Sequence, residues 1–293
     1  MGIQEAYTQL MYQLFELYDD REAANIADWT IEHITGFKRI DRITNKQFPL
    51  SKPQQQLLNT YATQLLKHTP VQYVLHEAWF AGMNLYVDEN VLIPRPETEE
   101  LIEWIVEESQ NLPAGQASSK VKSQKVLDIG TGSGCIPVTL KKKLPAWDAH
   151  ALDVSEGALA VAQKNADTQK TNITFYHSDI LDKNQWNQLS TFDIIVSNPP
   201  YIKHSEEKDM RNNVLSHEPH LALFVPDEDA LLFYRAIAEF GLTHLNEEGK
   251  LFFEINEALG NEVQQLLHDY NYIQTKLRKD MQGKDRMIKA TVI

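Results

Sequence analysis

Apolar positions recur at two different periods along this chain, and the change between them divides it. Over the first 75 or so residues the spacing is helical. Leu10, Leu14, Leu17 and Tyr18 form one stripe, and Ala23, Ala24, Ala27 and Ile31 a second. Gly36 predicts a helix stop, and Ser51-Lys52-Pro53 a start with a serine cap and a proline in the first turn. The helix so opened carries Leu57, Leu58, Tyr61, Leu65 and Leu66, with Pro70 beyond its end. Residues 1–76 therefore read as a small helical bundle domain. Within residues 77–95, Trp79, Phe80, Met83, Leu85, Tyr86 and Val87 around Gly82 predict a β-hairpin spanning 78–93 and acting as a linker. Pro96 with Glu97, Glu99 and Glu100 has the makeup of a first helical turn, acidic where the helix dipole is positive.

Residues 96–293 form the second domain. Strand-like runs at 125–129, 149–153, 172–177, 192–197, 250–255, 271–277 and 286–292 alternate with helical runs near 135–143, 155–168, 228–245 and 257–269. Such alternation predicts an α/β fold, a parallel sheet wound with helices on both faces. The short turn at Gln282-Gly283-Lys284 predicts that the last two strands pair antiparallel. Residues 111–124 read as an exposed polar connection. Residues 201–227, with little periodicity, read as a long loop serving as a lid or binding element.

Charge changes this picture in one respect. The net charge is −13, of which residues 1–80 carry −2 and residues 81–293 carry −11. So acidic a second domain is a poor general binder of phosphate backbones. Lys141-Lys142-Lys143 is the one tight basic run, and at a helix end it compensates the dipole. No run approaches the ~18 apolar residues of a membrane span. Residues 1–6 lack a signal-peptide pattern, and Cys135 is the only cysteine, so a cytoplasmic, membrane-free protein is expected.

The candidate chemistry lies at strand ends. Asp128-Ile129-Gly130-Thr131-Gly132-Ser133-Gly134 leads a strand through a glycine turn into a helix. Such a turn lets the backbone approach a ligand and frees N–H groups at the helix start. It lacks the Lys-Ser/Thr of a phosphate-binding loop and the G-x-G-x-x-G spacing of dinucleotide sites. Asp128 suits a cationic group, such as the amino acid part of S-adenosylmethionine. Asp153 ends the next strand, placed to accept ribose hydroxyls. Asp179 and Ile180 follow the third, for an adenine amino group and ring. Asn198-Pro199-Pro200-Tyr201 stops the fourth strand abruptly, because proline lacks an N–H and has a fixed φ. That turn offers an amide side chain, a carbonyl and an aromatic face to a planar nitrogen group.

Acids, glycines and Asn-Pro-Pro-Tyr at successive strand ends resemble class I S-adenosylmethionine-dependent methyltransferases acting on amide or exocyclic amino nitrogens. With Pro70-Val71-Gln72-Tyr73, Leu92-Ile93-Pro94-Arg95-Pro96-Glu97-Thr98-Glu99, Glu218-Pro219 and Phe253-Glu254-Ile255-Asn256, the chain resembles more closely the bacterial peptide chain release factor glutamine methyltransferases, over nearly its whole length. It departs from them at His76, where glycine is frequent, and at Ile180, where some members carry an aromatic.

The resemblance implies a Rossmann-like sheet of seven strands, the last antiparallel, and substrate recognition by the helical domain. It implies S-adenosylmethionine as methyl donor, leaving S-adenosylhomocysteine, with no metal. The partner would be a class I release factor, methylated on the glutamine of its Gly-Gly-Gln motif. Asn198, Pro199, Pro200 and Tyr201 would hold the substrate amide. Asp128, Gly130, Thr131, Gly132, Ser133, Gly134, Asp153, Asp179, Ile180 and Asn198 would hold the cofactor. Arg95, Thr98 and Glu254 join the site through their motifs. A ribosomal protein glutamine is an alternative substrate. So is adenine N6 in a nucleic acid, against which stand the acidic second domain and the absence of a basic recognition domain. Scattered histidines without His-Glu-x-x-His argue against a metal hydrolase, and Ser133 and Cys135 lack a nucleophile elbow.

Overall fold

A computed structural model describes residues 1–110, 123–210 and 212–293. The expected polar connection at 111–124 lies almost wholly outside the described residues. The chain divides into two compact units, one of Met1–Glu77 with Met210–His217, the other of Ala78–Asp209 with Glu218–Ile293.

The first unit holds α1 (Ile3–Leu14), α2 (Asp20–Thr35), α3 (Arg39–Thr44), α4 (Lys52–Leu65) and α5 (Val71–Leu75). The boundaries follow local chemistry. The Asp19 side chain accepts from the N–H groups of Arg21 and Glu22 at the start of α2. Gly36 ends that helix at φ 73°. Ser51 caps α4, and the Gln54 side chain accepts from the Ser51 N–H at 3.0 Å, completing a capping box. Ile3, Leu10, Leu14, Ala27, Ile31 and Leu65 are buried in this unit's own core. His76, the departure from the family pattern, ends α5 at φ 53°, the left-handed conformation that favours glycine.

The second unit begins with β1 (Ala78–Phe80) and β2 (Met83–Leu85), which pair antiparallel. This hairpin is shorter than expected, since residues beyond Leu85 leave the ladder and run irregularly to α6 (Pro96–Gln110). Then come β3 (Lys125–Ile129), α7 (Cys135–Lys143), β4 (Asp148–Asp153), α8 (Glu156–Thr168), β5 (Ile173–His177) and β6 (Phe192–Ser197). At the end of α7, Lys141 donates to the carbonyls of Pro145 and Trp147, which follow the helix.

Residues 201–227 are not a plain loop. β7 (Ile202–Lys203), α9 (Asn212–His217) and β8 (Phe224–Val225) occupy them, with 3-10 turns at His204–Asp209 and His220–Ala222. β7 pairs in parallel with β8. Two-residue strands are too short to leave a period in the sequence, so this order could not be read there. α10 (Leu232–His244), β9 (Leu245–Glu254), α11 (Gly260–Asp269), β10 (Ile273–Lys279) and β11 (Asp285–Thr291) complete the unit.

The main sheet has seven strands in the order β10-β11-β9-β6-β3-β4-β5. The first five strands to enter it pair in parallel, and β11 runs antiparallel to both β9 and β10. Alternate residues feed two cores. Val126, Val196 and Phe252 face the layer with Trp104 and Trp147, while Leu127, Ile195 and Phe253 face the layer with Tyr234 and Leu267. Burial on both faces explains why these strands read as continuous apolar runs.

Register fixes what emerges together. Ile129 pairs with Leu152 on one side and Ser197 on the other. The next residues along, Gly130, Asp153 and Asn198, therefore leave the sheet at one level, where strand order switches direction around β3. Crevices at that edge are where open α/β sheets bind ligands. The turn is close-packed there. A Cβ at Gly134, which has φ 76°, would stand 3.0 Å from the Ala162 Cβ and 3.2 Å from its Cα. Gly134→Ala is expected to lower unfolding free energy by about 1–3 kcal/mol, through left-handed strain and the clash with α8. Urea denaturation measures this, and an unchanged midpoint would contradict the packing described.

Candidate active site at the carboxyl edge of the sheet

A cleft opens at this edge, lined by residues at or just past the ends of β3, β4, β5 and β6. Of the residues expected at the site, Gly130, Gly132, Asp153, Asp179, Ile180, Asn198, Pro199 and Pro200 line it. Asp128, Thr131, Ser133, Gly134, Tyr201, Arg95, Thr98 and Glu254 are not part of its wall. Several of these support it from behind.

The glycine turn is held by both neighbours. Gly130, Gly132 and Gly134 all have positive φ, which spares the turn the strain a side chain would bring. The Gly132 N–H donates to Asp153 Oδ2 at 2.9 Å, and the Ser155 N–H donates to Asp153 Oδ1 at 2.9 Å. Asp153 thus fixes the turn as well as facing the cleft, and burial raises its pKa against the pull of these bonds. Behind the turn stands Asn165, 1% exposed on α8. Its Nδ2 donates to the carbonyls of Ser133 and Tyr86, and its Oδ1 accepts from the Tyr86 N–H. This buried amide clamps the turn to the chain that follows β2. Nothing about a lone Asn inside a helical pattern pointed to it.

Asp128 sits beneath the turn, 1% exposed, and neither carboxylate oxygen has a hydrogen-bond partner of good geometry. Burial pushes its carboxyl up to about 7. The Ser178 hydroxyl is likewise buried without a partner, and the Thr131 hydroxyl beside Asp128 pulls its pKa back down. Buried polar groups are normally satisfied, so such a cluster beside a cleft marks a place shaped for a ligand. Asp179 Oδ1 accepts from the Leu181 N–H at 2.8 Å, and the Asp179 N–H donates to Gln185. Beside it Ile180 is buried and gives the cleft an apolar wall.

Two parts of the wall were not singled out in the sequence. Asn90, from the stretch after the hairpin, faces the start of α8. A Cβ on Gly157 would lie 2.6 Å from its Oδ1, so this glycine makes room for it. Phe233 and Ile237 come from α10, in the helical run expected near 228–245. Pro219, Leu221 and Ala222 come from the segment after the Pro-Pro turn, the one expected to serve as a lid or binding element. That segment is latched: Arg95 Nη2 meets Glu218 Oε1 at 2.6 Å, and the Ile93 N–H donates to Glu218 Oε2 at 3.4 Å. Burial raises the Glu218 pKa, with Arg95 pulling it back. Arg95 and the Glu218-Pro219 motif, distant in sequence, are thus one contact.

At the end of β6, the Ser197 hydroxyl donates to the Ile129 carbonyl at 2.7 Å and ties the two central strands. Asn198 Nδ2 donates to Thr98 Oγ1 at 3.2 Å, and Thr98 Oγ1 donates to Glu254 Oε2 at 2.6 Å. Glu254 is 1% exposed, and its carboxyl is pushed up to about 7 by burial. Tyr201 turns into the apolar layer rather than the cleft. Burial there, aided by the Glu254 charge, raises its phenol to about 12. Among the described residues, no group of three or more His, Cys, Asp or Glu could hold a metal ion. Nor is any helix among them long and apolar enough to cross a membrane.

The two raised carboxyls have a consequence for stability. A folded-state pKa of about 7 at Asp128, against 3.8 when exposed, favours the neutral acid in the fold. The stabilisation this gives is complete below about pH 4 and lost as pH rises through about 7. Asp128→Asn is expected to narrow the difference in unfolding free energy between pH 5 and pH 8.5 by on the order of 2 kcal/mol. Denaturant titrations at both pH values test this, and an equal difference in both proteins would contradict it.

Residues 5–75 match the family model of the PrmC N-terminal domain, and residues 110–221 that of the methyltransferase small domain. The chain is 46% identical over 290 residues to the release factor glutamine methyltransferase of Flavobacterium psychrophilum, covering 99% of each chain. It is 40% identical over 277 residues to that of Bacteroides thetaiotaomicron, covering 94% of this chain and 95% of that one. Among solved structures it is similar to a methyltransferase from Pyrococcus furiosus, with a TM-score of 0.52 and 16% identity, over 80% of this chain and 100% of the other. At that identity the likeness is one of fold.

Proposed function

The chain belongs to the release factor glutamine methyltransferase family, and from that premise we propose that it methylates the side-chain amide nitrogen of the glutamine in the Gly-Gly-Gln motif of class I peptide chain release factors. The observation that carries the chemistry is Asn198 on the wall of the cleft, beside Pro199, at the level where the glycine turn and Asp153 emerge.

The residues of the cleft suit S-adenosylmethionine. Buried Asp128, with the Thr131 hydroxyl beside it under the turn, answers a charged amino acid end. Asp153 has lone pairs left for ribose hydroxyls, and Asp179 with Ile180 suits an amino-bearing ring. When bound, the cofactor supplies a methyl group made electrophilic by its sulfonium. The protein's own part is to hold the glutamine nitrogen. An amide nitrogen is a poor nucleophile because its lone pair is delocalised. The Asn198 oxygen and the Pro199 carbonyl would accept its two N–H bonds, orient it, and stabilise positive charge as it pyramidalises. No strong base is needed first, since the proton leaves after transfer. Tyr201 acts from behind the turn, stiffening it within the apolar layer instead of stacking on the substrate.

A single glutamine is too small to specify a partner. The helical domain is the natural place for the remaining recognition, and it exposes Tyr12, Ile40 and Phe48 to solvent. The protein would act in the cytoplasm, where release factors work, and without stable nucleic-acid binding.

Incubation with methyl-labelled S-adenosylmethionine and a class I release factor, a ribosomal protein extract or an adenine-containing oligonucleotide tests the assignment. Label is expected on the release factor, at the Gly-Gly-Gln glutamine. Label confined to either other substrate would overturn it. Asn198→Ala is expected to lower transfer at least about 100-fold while cofactor affinity, measured by calorimetry, changes little. Equal loss of both would contradict the role given to Asn198.

A further inference from the structure

We propose that Thr98 and Glu254 are positioning residues for this reaction, forming a hydrogen-bond chain that locks the Asn198 amide with its nitrogen inward and its oxygen toward the cleft. This rests on the function proposed above and concerns how the same site is kept competent.

An asparagine amide can be turned either way in its pocket, and only the partners decide which way. Here they decide it. An ionised Glu254 is acceptor-only, so the Thr98 hydroxyl, 2.6 Å away, must donate to it. Thr98 Oγ1 then has only lone pairs for its other neighbour, 3.2 Å away. The Asn198 atom facing Thr98 must therefore be the donor Nδ2, and Oδ1 is the atom turned from Thr98. Thr98 is 2% exposed, so water does not compete for its hydroxyl. A reversed amide would offer the cleft two N–H groups where the substrate nitrogen brings its own.

The charged and titratable groups facing Glu254 come from every element around it. Glu97 precedes Thr98 on α6, and Tyr201 follows Asn198. The Tyr234 hydroxyl donates to the Glu254 backbone carbonyl at 3.4 Å, Cys135 lies on α7, and Arg286 lies on β11. Burial is the largest influence on Glu254 and favours its neutral form; the Thr98 hydroxyl, Arg286 and the Asn198 amide itself favour the ionised form, and Glu97 opposes it. The Arg286 guanidinium is itself shared with Asp280 and Glu257, at 3.2 and 3.3 Å. Burial outweighs these and leaves the carboxyl titrating at about 7. Once protonated, Glu254 can donate to Thr98 Oγ1. The Thr98 hydrogen is then released toward Asn198, and the amide can turn over. Activity should accordingly fall as pH drops through about 7.

Thr98→Val, Thr98→Ser and Glu254→Gln test the chain against the parent. Steady-state methylation of the release factor is measured over pH 6–9, alongside cofactor affinity by calorimetry. Thr98→Val is expected to lower kcat about tenfold, the equivalent of one oriented hydrogen bond. Its cofactor affinity should stay within about twofold of the parent by the same reasoning. Thr98→Ser, which keeps the hydroxyl, should restore most of the loss. Glu254→Gln should lack the acidic fall near pH 7. Parental kcat in Thr98→Val, equal losses in the Val and Ser variants, or an unchanged acidic limb in Glu254→Gln would each overturn the proposal. A parent inactive on the release factor would contradict the function and leave the chain to a second readout. In protein labelled with ¹⁵N-asparagine, the Asn198 side-chain N–H signals, identified by their loss in Asn198→Asp, should shift between pH 6 and 8 in the parent but not in Glu254→Gln. Signals that do not move in the parent would overturn the proposal independently of activity.

Discussion

Asn198 can present an acceptor to the cleft only if its nitrogen is held elsewhere. That requirement ties together parts of the chain remote in sequence. Thr98, at the start of α6, meets both Glu254, the last residue of β9, and Asn198, the residue just past β6. For these groups to meet, β9 must lie beside β6, and α6 must cover the adjacent face with its first turn at the carboxyl edge. The parallel register of Ser197 with Phe253 meets the first condition. The two prolines after Asn198 add the stop, because a strand that continued would carry the amide out of the cleft.

The site also holds its charges in poor company. Asp128 and Glu254 are buried with too few donors to balance an ionised carboxylate, so both titrate near neutrality rather than as ordinary acids. Their cost to the fold is met by the two apolar layers on either face of the sheet, where Trp104, Trp147, Phe252, Phe253 and Tyr234 are wholly enclosed. A cleft of low polarity with acids poised beneath it strengthens any interaction with a cationic ligand and excludes water from an amide that must react.

Much of this was legible in the sequence, and for identifiable reasons. Strands buried on both faces leave continuous apolar runs, and glycines at positive φ leave a spacing. A Pro-Pro stop leaves no alternative to a turn, so Asp153, Gly130 and Asn198 could be placed at one edge before their contacts were known. What could not be read depends on pairs far apart in the chain. Asn165 looked like any polar residue in a helix, yet it clamps the glycine turn. Asn90 is accommodated only because position 157 is glycine. Arg95 and Glu218 stood in separate motifs but form one partly buried contact. Tyr201, expected over the substrate, packs partly buried against the apolar layer behind the turn. His76 replaces a frequent glycine at a left-handed position, a departure visible in the sequence whose meaning only the backbone supplied.

The most direct test of the account is a crystal structure of the protein with S-adenosylhomocysteine and a peptide bearing Gly-Gly-Gln. The account predicts the glutamine nitrogen within hydrogen-bonding distance of both Asn198 Oδ1 and the Pro199 carbonyl, with Asn198 Nδ2 still on Thr98. A glutamine amide bound away from this turn, or one meeting Asn198 through its carbonyl oxygen, would contradict it.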